Sequence, residues 1–105
     1  MFKINGIHWK IYYTNPDDIN LMRPNGTYAL GCCDNATQII YVNKMLDKQK
    51  LWDVICHEIV HAVMFSYNIF LTEDEEERLA NIITLYAEEI LAITNILFNR
   101  KKGVS

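Results

Sequence analysis

Residues 48–67, KQKLWDVICHEIVHAVMFSY, decide how this chain is read. Leu51, Ile55, Ile59, Ala62 and Val63 recur at helical spacing and Asp47 stands where an N-cap belongs, so the stretch predicts an amphipathic helix. Within it lies His57-Glu58-Ile59-Val60-His61, an H-E-x-x-H pentapeptide. Four residues turn a helix through about 400°, which leaves the two imidazoles about 40° apart and one turn along the axis. From there both reach a single tetrahedral zinc ion. Glu58 lies beside the pair, near enough to take a proton from a water without binding the metal itself. The flanking Val54, Ile55, Ala62, Val63, Met64 and Phe65 predict a buried helix. Two histidines and a glutamate on a buried face are costly without a metal or partners.

A tetrahedral site needs a third protein ligand and keeps its fourth position open. His8 is the remaining histidine and reads as a solvent-facing strand residue. Cys56 points about 100° away from His57 and reads as a small buried residue. Cys32 and Cys33 show no ligand spacing. The better source is the run Glu73-Asp74-Glu75-Glu76-Glu77, which opens a second predicted helix over 72–99. Thr72 and Glu75 form a capping box at its start, and Leu79, Ile82, Ile83, Tyr86, Ile90, Ile93 and Leu97 form its apolar stripe. By helix phase Glu76 falls near that stripe, beside Ala80 and Ile83, and is the favoured third ligand. Glu77 falls on the polar side with Asn81, Thr84 and Glu88. It is the alternative, with Asn81 one turn later placed to steady a histidine.

Upstream the pattern is strand-like. Ile7, Trp9, Ile11 and Tyr13 alternate with His8, Lys10 and Tyr12, so residues 2–13 read as one half-buried strand. Thr14 to Asn25 holds both prolines and reads as loop. Thr27–Cys33 and Gln38–Asn43 flank a polar tetrapeptide and predict a β-hairpin. The expected fold is therefore α+β, one domain over 1–105. A small antiparallel sheet from residues 2–43 packs on two antiparallel helices, 48–67 and 72–99, and 38–43 is its candidate edge strand. The tail Gly103-Val104-Ser105 is expected to fray.

Composition excludes other classes. Half of the 105 residues are hydrophobic and 22% are charged, which disfavours disorder. A formal net charge of −3 gives no basic field for nucleic acid. No apolar run approaches the ~20 residues of a membrane span. Three cysteines without a disulfide framework, and an N-terminus without an apolar signal core, fit a cytoplasmic location.

HEIVHAVMFSYNIFL (57–71) followed by EEERLANIITLYAEEI (75–90) resembles the small zincin-like metallopeptidases of phages and other mobile elements. These are ImmA/IrrE-related proteins of the gluzincin-like zinc proteases. The resemblance covers about residues 28–90. It implies Zn2+ held by His57, His61 and Glu76 or Glu77, with Glu58 as general base. Ala80-Asn81 matches the family's pair, whereas Leu79 stands where larger relatives often carry a second acid. The implied activity is hydrolysis of a peptide bond in a specific protein substrate. That would take place in the host cytoplasm if the protein is phage-encoded. A peptide would add as a strand to the sheet edge. Oxyanion stabilisation would need another donor; the sequence selects none, and Tyr41 and Tyr67 read better as core or rim packing than as that donor. The alternative reading is a zinc-binding but inactive protein that acts by binding a host factor.

Overall fold

The structure, a computed structural model, describes residues 1–104. Four strands, β1 (Phe2–Ile4), β2 (Ile7–Thr14), β3 (Gly31–Asp34) and β4 (Ile39–Asn43), precede two helices, α1 (Lys48–Ser66) and α2 (Glu73–Val104). The chain is α+β, a small sheet packed on two helices. Asp47 caps α1 by accepting from the Lys50 N–H at 2.9 Å. Thr72 and Glu75 bond reciprocally at 3.2 Å, which forms the expected capping box of α2. Asn68, in the left-handed region at φ 53°, ends α1 and lets the chain turn back. α2 runs through Val104, and Ser105, the last residue of the tail expected to fray, lies outside the described residues.

Three sheet expectations are corrected. Residues 2–13 form two strands rather than one, because Asn5 and Gly6 both take positive φ (50° and 75°) and close a two-residue hairpin. The sheet is mixed rather than wholly antiparallel: its order is β1-β2-β4-β3, and the central β2–β4 pair is parallel. Residues 39–43 are accordingly interior, and β3 is the edge strand beside α1. Ile40 and Val42, both at 0% exposure, show why a near-continuous apolar run belongs in the middle of the sheet.

α1 is the middle layer. Val54 and Ala62 join Trp9, Ile40 and Val42 in the core against the sheet. Val60 and Met64 face the other way and pack on Ala80, Leu79 and Ile83 of α2. The β1–β2 hairpin is pinned to the end of α1 by Ser66. Its buried hydroxyl accepts from the Trp9 indole N–H at 2.8 Å, and its carbonyl accepts from the Asn5 amide at 3.1 Å.

The predicted stripe of α2 is only partly buried. Every residue from Glu88 to Lys101 is exposed. A further expectation is corrected here: by length and composition Glu73–Lys101 is long and apolar enough to cross a membrane, because its apolar residues tolerate Glu88 and Glu89 within the same stretch.

Candidate active site

The two faces of α1 divide the pentapeptide. Val54, Glu58 and Ala62 form one i, i+4 row toward the sheet, while His57 and His61 form another toward α2. The two imidazole Nε2 atoms are 3.2 Å apart. The Glu77 carboxylate closes the group, with one oxygen 3.2 Å from His57 Nε2 and the other 2.9 Å from His61 Nε2. Donor atoms of these three residues lie within 4.8 Å of one another, a set compatible with a metal ion.

Glu76 takes a different place. Its Oε1 lies 2.5 Å from Nδ1 of His61, on the ring edge away from the cluster. Helix phase favoured Glu76 because it is the more buried of the two. The side-chain exposures are 18% for Glu76 and 49% for Glu77. The buried direction, however, leads to the back of His61. A glutamate reaching in from the solvent side meets the exposed Nε2 edges.

Glu58 is buried at 8% exposure and borders the same cleft. Burial pushes its carboxyl up to about 7; the charge of His61 opposes that shift and the charge of Glu77 adds to it. Room for it comes from Gly31. A Cβ there would stand 2.6 Å from Val54 Cγ1, 3.0 Å from Glu58 Cγ and 3.2 Å from Glu58 Oε2. Gly31 carries one sequence signal, a glycine inside a strand pattern, which marks close approach of another group.

The cleft has a volume of about 850 Å³ and runs between β3 and α2. Arg23, Asn81 and Thr84 are among the polar residues along it. Arg23 was not singled out by sequence, since an arginine inside a loop carries no local signal. Tyr41 lies across the sheet, edge-on to Tyr12, and Tyr67 is an exposed cap residue of α1; neither lines the cleft. His8 is exposed, with Nδ1 3.1 Å from Met1 Sδ and away from the cluster. All three cysteines are free. Cys32 and Cys33 border the cleft, and burial pushes both thiols up, with the charge of Glu58 adding to the shift.

Two imidazoles one helical turn apart and a carboxylate from the next helix, with a buried glutamate alongside, form a group compatible with an H-E-x-x-H metal site. The family model for the IrrE N-terminal-like domain, peptidase family M78, matches residues 17–98. The chain belongs to that family and has its zinc-metallopeptidase-like fold. The match starts within the loop after β2, so the β1–β2 hairpin lies outside it. No curated protein and no solved structure matches the chain.

Proposed function

We propose that the protein is a zinc-dependent peptidase that hydrolyses a peptide bond in a specific protein substrate. The observation that carries this reading is the convergence of His57, His61 and Glu77 on one point, with Glu58 beside them in an open cleft. Two imidazoles and one carboxylate are a donor set that fits zinc. In this reading His57, His61 and Glu77 hold the ion. Glu76 accepts from the His61 Nδ1–H, which fixes the tautomer and leaves the Nε2 lone pair facing the cluster. When bound, zinc supplies Lewis acidity and lowers the pKa of a water.

The chain's own residues do the rest. β3 is an edge strand, so an extended peptide can pair with it and hold its carbonyl over the cluster. Glu58 accepts a proton from the attacking water and returns it to the leaving amine. Its raised pKa suits it to carry that proton, and a divalent cation nearby would favour the ionised form that starts the cycle.

The test compares wild type with Glu58→Gln, measuring zinc content and cleavage of a proteome-derived peptide library. Both proteins should hold one zinc, and only wild type should cleave. Equal cleavage by the variant, or no zinc uptake by wild type, overturns the reading. One zinc in both proteins with no cleavage by either replaces it with the inactive, host-factor-binding alternative.

A further inference from the structure

Leu79, Ile83, Tyr86, Ile90, Ile93 and Leu97 are separated by alternating steps of four and three residues, the spacing of a coiled-coil seam. The first two are partly covered by Val60 and Met64 of α1. The last four are half or more exposed. A lone exposed apolar side chain is ordinary, but a continuous stripe of them marks a contact surface.

We propose that this stripe pairs with a second copy of the chain, with the two α2 helices antiparallel. The charges on α2 select this occupant and direction. The helix opens on Glu73, Asp74, Glu75 and Glu76 and closes on Arg100 and Lys101. Antiparallel pairing lays each basic end on the other copy's acidic start, whereas parallel pairing stacks acid on acid. One register also matches the stripe, with the partner's Ile93 and Leu97 meeting the parts of Ile83 and Leu79 that α1 leaves uncovered. It sets Ile90 against the partner's Tyr86, Ile83 against the partner's Ile93, and Leu97 against the partner's Leu79. In that register Lys101 flanks the partner's Glu73.

The seam leaves the cleft free, because Glu77, Asn81 and Leu85 border the cleft from the opposite side of the helix. A bilayer fits the same stripe less well. Glu88 and Glu89 fall midway along it, and a charged residue at a helix centre costs about 3 kcal/mol in lipid. In the pair Glu88 faces solvent. Glu89 lies near the two-fold axis, close to the partner's Glu89.

The test is sedimentation equilibrium of the full chain over a concentration series. Wild type should show a monomer–dimer equilibrium. Ile90→Glu with Ile93→Glu should weaken it by more than about tenfold, since both sit at the centre of the seam. Zinc content should not change, because neither residue borders the metal cluster. Lys101→Glu should weaken pairing and Glu73→Lys in the same chain should restore it. Glu89→Gln should tighten it. A protein that stays monomeric at all concentrations overturns the proposal, as does a dimer indifferent to Ile90→Glu with Ile93→Glu. Flotation of wild-type monomer with anionic phospholipid vesicles would also overturn it, assigning the stripe to lipid.

Discussion

The two halves of α2 are built from one apolar pattern and meet different surroundings. In the first half Ala80 is fully buried, Leu79 and Ile83 pack on α1, and Glu76 and Glu77 meet the histidines. In the second half every residue from Glu88 to Lys101 is exposed. The cause is length. α2 has 32 residues against 19 in α1, so at about 1.5 Å per residue it overhangs by roughly 20 Å. An apolar stripe therefore records what a helix is able to bury, and its neighbour's length decides how much it does bury.

If that contrast is right, the large effects cluster around the first half. The largest is chemical: Glu58→Gln should lower cleavage by about 10²–10⁴-fold, the usual contribution of a positioned base, while zinc content stays constant. Next comes the division of labour between the two glutamates. Glu76→Gln should weaken zinc binding by roughly 10–100-fold, as loss of a supporting carboxylate does. Glu77→Gln should weaken it further. Competition titration with a chromophoric chelator measures both, and the reverse order would make Glu76 the ligand.

Stability should follow the metal. Free zinc at a thousandfold above Kd adds about 4 kcal/mol to the folded state. At roughly 4–8 °C per kcal/mol for a domain this size, a chelator should lower Tm by well over ten degrees. His61→Ala should melt near the chelated protein and Glu58→Gln near wild type in zinc. Melting curves that ignore chelator would break the link between the cluster and the fold. Gly31→Ala is a smaller perturbation. Overpacking against Val54 and Glu58 should cost about 1–3 kcal/mol, read by denaturant titration, and should slow cleavage while zinc is retained. The smallest effect belongs to the overhang: Glu88→Gln should change monomer stability by less than about 0.5 kcal/mol. A loss of several kcal/mol there would mean that the second half of α2 is packed after all.

The chain's local chemistry settled a good deal. The H-E-x-x-H pentapeptide, the Asp47 cap, the Thr72–Glu75 box and the helical periodicity are short-range signals; the starts of both helices and the end of α1 fall within one residue of their predicted places, whereas α2 continues through Val104 beyond its predicted end at 99. The β3–β4 hairpin was equally local. The missed Asn5–Gly6 turn was legible too, since Asn-Gly is the strongest two-residue hairpin signal. What the sequence left open depends on residues far apart. The parallel β2–β4 pairing, and with it the choice of β3 as the edge, joins segments whose own patterns carry no register for each other. Glu76 and Glu77 are neighbours, and helix phase ranks them by burial alone. Only the packing of α2 across α1 shows which face of His61 each one reaches. Periodicity fixes the direction in which a side chain leaves its helix. The atom it meets belongs to another element, and tertiary structure alone supplies that atom's position.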